Sequence, residues 1–394
     1  METGDGWFGF RGEGQTSTQK LEFLQHFHLL SGELDSIISG LGASSIDLLN
    51  ALANMEKLLS ITEVFARPSD RSAVADDLAQ LFEVLVRCNL TDLLVTVLQT
   101  SGDTLSQVSA LRCLALFVAG PRVPSTPESS LLHPKAMYFK RMAISSDAPI
   151  VVSRFLNFNA PSTCEQAVAF VAAMCKDDWE IRNYFLENHI LSLLCPLVLD
   201  TTPNYILNLT AQAIAALCGV THSGSPLPSW THIQPSLTPL GHMLFSEDPS
   251  ILCNVLSAFA LALPGVRPDF SIIARILDLV NAFPDPKVVQ YSLQVALQVS
   301  KFDAIQTNSF LSRGLLQSLK NALASPSSPV RSTAMDVLET LAKTRQVFQP
   351  IVDAGFLETI GELMTTDESL RARIVKLLLA FSELTPLARI MGSR

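Results

Sequence analysis

The chain has 394 residues, 48% of them hydrophobic and only 16% charged, which excludes an intrinsically disordered protein. A single hydrophobic core rarely grows past about 250–300 residues, so one compact domain is excluded and several domains or a stacked array remain. The net charge is −9 and the densest basic stretch is Lys140-Arg141, which excludes the basic patch of a nucleic-acid binder.

In chain order, residues 1–19 are Gly-rich and polar and read as a disordered tail. They carry neither the basic n-region nor the apolar h-region of a signal peptide. Residues 20–70 read as an irregular helical cap, with helices over Leu21–Leu30, Glu33–Ile38 and Ser45–Leu59. From residue 71 to 394 the chain repeats. A turn-forming residue followed by a helix with apolar spacings of three and four recurs at Asn89, His189, Gly314 and Gly355. Gly314 to Gly355 is 41 positions, and His189 to Gly314 is 125, three steps of about 42. Further copies are anchored at Ala148, Pro235 and Ser271. Asn89 to Ala148 is 59 positions, about 18 more than one period. The excess centres on Gly120-Pro-Arg-Val-Pro-Ser-Thr-Pro, so a Pro/Ser-rich loop is expected at about 120–137.

Each copy carries a second apolar helix, over Ser162–Met174, Leu207–Leu217, Ile251–Leu263, Val288–Val299, Val330–Leu341 and Ser369–Phe381. Pro249, Pro286 and Pro329 sit at three of these helix starts, where the first turn tolerates proline. Short bridging helices are expected over Trp179–Leu186 and Val347–Asp353. Pro and Gly recur too often for a coiled coil. One such unit cannot bury its apolar face alone, and stacking buries it continuously.

A period near 41 residues with two long helices and one short one is the armadillo pattern. The residues agree. Val352-Asp-Ala-Gly-Phe-Leu-Glu-Thr-Ile, Pro329-Val-Arg-Ser-Thr-Ala-Met and Cys164-Glu-Gln-Ala-Val-Ala resemble stretches of armadillo repeats, those of importin-α in particular. The resemblance spans residues 70–385 and implies an all-α fold, a right-handed α-solenoid whose third helices line a concave groove. In importin-α a Trp, with an Asn four residues later, recurs along that groove and holds a basic localisation signal. The matching positions here are Ala169 and Ala173, Gln212 and Ala216, Ser257 and Leu261, and Asp336 and Thr340, so no repeat keeps the pair. The basic arm that precedes the importin-α repeats has no counterpart, since residues 1–60 hold only Arg11, Lys20 and Lys57 as basic residues.

Catalytic and metal signatures are absent from the sequence. The seven cysteines are scattered singly without a CxxC, and no GxxxxGK[ST], GxSxG or HExxH occurs; the GxGxxG spacing of Gly4, Gly6 and Gly9 falls in the Gly-rich tail with no strand before it. His26 and His28 are two residues apart, which puts them on nearly opposite sides of a helix rather than at one metal. No catalytic residue, cofactor or metal is expected. Lys176-Asp-Asp-Trp-Glu concentrates acid at a helix start, either as an N-cap by Asp177 or Asp178 or as a contact for a basic ligand. Asp336 and Glu339 lie three apart on one face of a third helix, where they would meet Lys or Arg of a partner. With Gln212 and Ser257 they are the candidate partner-binding residues.

The expected protein is therefore a monomeric, non-enzymatic adaptor of the cytoplasm or nucleus. It grips another polypeptide along its groove and has no nucleic-acid or membrane partner. The first reading is importin-α-like recognition of basic cargo for nuclear import. The alternatives are an armadillo cochaperone promoting nucleotide exchange on a 70-kDa-class heat-shock chaperone, and a scaffold for cytoskeletal or assembly complexes.

Overall fold

The computed structural model describes residues 33–384 apart from 43–44, 65–74, 120–133, 158–159, 177, 199–201, 219–232, 263–269, 303 and 344. The 1–19 tail, the Leu21–Leu30 helix and the His26–His28 pair lie outside the described residues. The chain divides into two compact units, Met1–Pro228 and Ser229–Arg394. All secondary structure among the described residues is helical.

The first unit holds α1 (Leu34–Gly40), α2 (Ser45–Val64), α3 (Ala75–Arg87), α4 (Leu90–Thr100), α5 (Thr104–Ala119), α6 (Pro134–Ser145), α7 (Ala148–Ser153), α8 (Pro161–Cys175), α9 (Trp179–Glu187), α10 (Ile190–Leu194) and α11 (Asn204–Cys218). After the capping pair α1–α2, the helices fall into three repeats of three: α3–α5, α6–α8 and α9–α11. The expected 120–137 loop is shorter at its far end, because α6 opens at Pro134, a residue suited to a first helical turn.

The second unit holds α12 (Leu237–Met243), α13 (Pro249–Ala262), α14 (Phe270–Ala282), α15 (Pro286–Phe302), α16 (Ala304–Ser312), α17 (Leu315–Leu323), α18 (Ser328–Ala342), α19 (Arg345–Asp353), α20 (Phe356–Thr366) and α21 (Arg371–Leu384). Two pairs, α12–α13 and α14–α15, are followed by two full triplets, α16–α18 and α19–α21.

One backbone device makes the sharp turn between first and second helices. Asn89, Asp147, His189, Gly314 and Gly355 each adopt the left-handed region, with φ of 50°, 56°, 59°, 93° and 75°. Only glycine enters that region freely, and Asn, Asp and His are the residues that tolerate it best. The spacing of these five turn residues in the sequence therefore marks a conformation that recurs in each of the three-helix repeats. The anchor at Ala148 is corrected to Asp147, whose short carboxylate side chain accepts the strain while Ala148 begins the helix, buried.

Aspartates cap several helix starts. Asp178 does so for α9, where its carboxylate accepts from the backbone N–H groups of Glu180 and Ile181 at 3.0 and 3.1 Å. That geometry supplies the capping role expected of the acidic run. Asp248 and Asp285 accept from the N–H groups of Ser250 and Lys287 at 2.8 and 2.7 Å, ahead of α13 and α15.

Stacking buries each third helix on more than one side. α2 packs on α5, α5 on α8 and α8 on α11 in the first unit. α13 packs on α15, α15 on α18 and α18 on α21 in the second. Leu111, Leu114 and Phe117 of α5 are all buried, as are Leu293 and Ala296 of α15. Phe82, Phe117 and Phe139 form a ring cluster joining the repeats α3–α5 and α6–α8, with centroids 4.8 to 5.9 Å apart. Such ring pairs stabilise by roughly 0.5–1.5 kcal/mol beyond their buried area.

Candidate partner-binding surface

Three of the four sequence-nominated residues mark one helical register. Gln212 on α11, Ser257 on α13 and Asp336 on α18 are half-buried, each on the arc that its helix leaves open between stacked neighbours. Seven residues earlier, two turns along the same face, stand Tyr205, Ser250 and Pro329. In the same register are Ile46 on α2, Leu105 with Arg112 on α5, Ser162 with Ala169 on α8, and Lys287 with Gln294 on α15. Ala169 itself is buried, so α8 presents little at this height.

The second-unit acid pair is not free to meet a partner. Arg373 of α21 donates to Glu339 from Nε at 2.8 Å, and to Asp336 from a terminal guanidinium nitrogen. Its other terminal nitrogen donates to the carbonyl and hydroxyl of Ser332 at 3.3 and 3.2 Å. The expectation that Asp336 and Glu339 wait for a partner's Lys or Arg is corrected: the next repeat supplies the guanidinium. Those carboxylates hold Arg373 above its ordinary range, against the opposing effect of burial. A second clamp joins the same repeats. Arg331 bonds Asp367 at 2.8 Å and the carbonyls of Ser325 and Pro326 at 2.8 and 2.9 Å. Asp367 is held below the usual carboxylate range by hydrogen bonds from Ser369 and Arg331.

The first unit carries a different arrangement. Arg112 pairs with Glu56 of α2 at 3.0 Å, and its charge also acts on Glu165 of α8. Burial raises both Glu56 and Glu165 above the usual range, with Arg112 opposing. Glu165 in turn lies close enough to Tyr205 of α11 to help burial push that phenol up. At the first turns of their helices, Ile46, Leu105 and Tyr205 are large apolar or aromatic side chains that stand well exposed. Asp47 and Asp103 are exposed beside the first two. Sequence reading missed this row, yet a signal was there: each is a bulky residue at the second position of a third helix, before the buried pattern begins.

Inside the first unit, Lys140 and Arg182 are buried cations. Lys140 donates to the carbonyl of Lys176 at 2.5 Å. Cys175 is pushed up by burial to a value that leaves it a thiol. Among the described residues no group of three His, Cys, Asp or Glu side chains could hold a metal ion. Among them, too, no helix is long and apolar enough to cross a membrane.

No protein-family model matches the sequence. Solved structures match by fold. An engineered protein superposes with a TM-score of 0.72 over 96% of this chain and 89% of its own, at 16% identity. A chain from a structure of the cadherin and β-catenin interaction gives 0.63 over 94% of this chain and 66% of its own, at 11% identity. A designed armadillo repeat protein in complex with the peptide (KR)4 gives 0.52 over 59% of this chain and 98% of its own, at 17% identity. Likeness at these identities speaks for fold alone. The fold is that of armadillo-repeat proteins, an all-α solenoid architecture.

Proposed function

We propose that this protein is a non-enzymatic scaffold that binds an extended polypeptide across the third helices of its first unit. The observation that carries the reading is the row Ile46, Leu105 and Tyr205, exposed at matched heights on stacked helices. Exposed apolar side chains in series mark interaction surfaces rather than solvated ones. Packed helices lie about 8–10 Å apart, which an extended chain spans in roughly three residues. Asp47, Asp103 and Glu165 beside the row favour a partner that intersperses Lys or Arg among its apolar residues. The neighbours agree with polypeptide binding as a class, since one holds a peptide and another reports a protein–protein interaction.

This reading takes the scaffold alternative over importin-α-like import of purely basic cargo. The acid pair that would serve such cargo, Asp336 and Glu339, already holds Arg373. Fluorescence anisotropy separates the two, using one labelled peptide of Lys and Arg alone and one alternating Leu or Val with Lys. Micromolar binding of the mixed peptide at physiological salt, weakened about tenfold by Leu105→Ser with Tyr205→Ala, is the expected result. Tight binding of the purely basic peptide that disappears in Asp336→Lys would return the import reading. Neither peptide binding at tens of micromolar sinks the proposed surface.

A further inference from the structure

The exposed row on the first unit has a notch. At the second position of successive third helices stand Ile46, Leu105, Ser162 and Tyr205, on α2, α5, α8 and α11. Each of these helices packs on the next in that order. Ile46, Leu105 and Tyr205 are large, whereas Ser162 is exposed and ends in a short hydroxyl. Leu105 is 66% exposed and Tyr205 48%, so both rise as walls on either side of α8.

A carboxylate forms the floor. Glu165 stands three residues after Ser162 on the same face of α8, about 4.5 Å further along the axis. It is half-buried, and Ala169, one turn deeper still, is buried. Glu165 lies within electrostatic reach of Tyr205 from α11 and of Arg112 from α5. Arg112 pairs with Glu56 of α2 at 3.0 Å.

The third helices match their other inner carboxylates within the fold. Beyond the first turn, the described carboxylate side chains on third helices are Glu56, Glu165, Asp336 and Glu339. Arg112 pairs with the first and Arg373 with the last two. Glu165 shares the field of Arg112 with Glu56 and has no ion pair of its own among the described residues. One guanidinium between two carboxylates leaves one negative charge over. Asp103, exposed beside Leu105, adds another at the rim and is held ionised by the backbone N–H and hydroxyl of Ser106. A cation arriving from the open side offsets the desolvation of Glu165. Between apolar walls, the side chain of that shape is an aliphatic stem ending in a compact ammonium.

We infer that the notch at α8 is a lysine subsite, with the lysine stem between Leu105 and Tyr205 and the ammonium on Glu165. The subsite rests on the peptide-binding reading of the first unit and fixes which of the partner's charges that surface reads.

Fluorescence anisotropy of the full chain at physiological salt tests it with two labelled peptides. One carries a lysine set among Leu, Val and Ser, and its twin carries norleucine there, an aliphatic stem without the charge. The lysine peptide should bind wild type about tenfold more tightly than its twin, and Glu165→Gln should erase that preference. Ser162→Leu fills the notch from its exposed rim without touching the carboxylate, and should erase the preference too. Equal binding of the two peptides by wild type overturns the subsite. So does a lysine preference that Glu165→Gln leaves intact. In either case the surface itself stands as long as Leu105→Ser with Tyr205→Ala weakens both peptides. If that double variant changes nothing, or neither peptide binds, the peptide-binding reading falls and the subsite with it.

Discussion

The two units build the same repeat and finish its open surface differently. In the first, the third-helix register begins with Ile46, Leu105 and Tyr205, and Glu165 carries no ion pair among the described residues. In the second, the register begins with Ser250, Lys287, Pro329 and Ser369, and the carboxylates of α18 are clamped by Arg373. The helix junctions differ in parallel. Asn89, Asp147 and His189 hold the left-handed turn in the first unit, and Gly314 and Gly355 hold it in the second. A repeat thus leaves its stacking residues little choice while its open arc and its turn residue vary. The first unit keeps large apolar groups exposed at the starts of its third helices, as a binding surface requires. The second satisfies its charges across repeats, as a structural ladder does.

The largest test of that contrast is to unstack one unit. Phe117→Ala removes the ring shared by Phe82 and Phe139, and should cost about 3–5 kcal/mol, with the added cost of the cavity included. Calorimetry should then show the first unit melting ahead of the second. A single transition shifted as a whole would mean the two units unfold as one. Gly355→Ala follows in size. The φ of 75° costs an alanine roughly 1–2 kcal/mol. The new methyl carbon would also lie 3.2 Å from Lys320 Nζ, the flexible end of a side chain that can shift. His189→Gly should gain up to about 1 kcal/mol in the first unit by releasing the same strain. Urea denaturation of both variants reads the pair, and equal effects of the same sign would deny the junction argument.

Arg373→Ala comes next and acts on binding as well as stability. Removing the guanidinium leaves Asp336 and Glu339 facing each other at a half-exposed site, a loss of about 1 kcal/mol after solvent screening. It also opens the pair to an outside cation. The purely basic peptide should gain affinity for this variant, measured by anisotropy at low and physiological salt. No gain would show that the acid pair cannot serve as a site even when vacated.

Much of this architecture was legible beforehand. The period came through because the turn between first and second helices needs a residue that accepts positive φ, and few residue types do. Asp147 was missed by one position because Ala148-Pro149 looks like a boundary, although the proline belongs inside the helix's first turn. The third helices were legible from their apolar runs. Their partners were not. Arg373 lies 37 residues from Asp336, and no spacing rule within a helix joins them. The same holds for Arg112 with Glu56, and for the ring of Phe139 against Phe82. Contacts between repeats follow the stacking geometry, which one-dimensional periodicity announces without giving its register.

The smallest effect should come from Glu165→Gln, and its sign depends on pH. Burial raises Glu165 above its unfolded value, with Arg112 offsetting part of the rise. A carboxyl raised on folding binds its proton more tightly in the native state. Its contribution is present in full below the unfolded value and is lost as pH rises through the folded one. At neutral pH the ionised group is therefore a burden, and glutamine should stabilise the first unit slightly. At a pH below the ordinary carboxylate range wild type and variant should melt together. Asp367 in the second unit runs the other way. It is lowered by Ser369 and Arg331, so its contribution is present above the unfolded value and fades as pH falls through the folded one. Thermal melts of Glu165→Gln and Asp367→Asn across pH 3 to 8, about the window in which carboxyls titrate, should diverge at neutral pH and converge in acid. If Glu165→Gln instead lost stability at neutral pH, Arg112 would outweigh burial. The open carboxylate of the first unit would then be as firmly held as the clamped pair of the second.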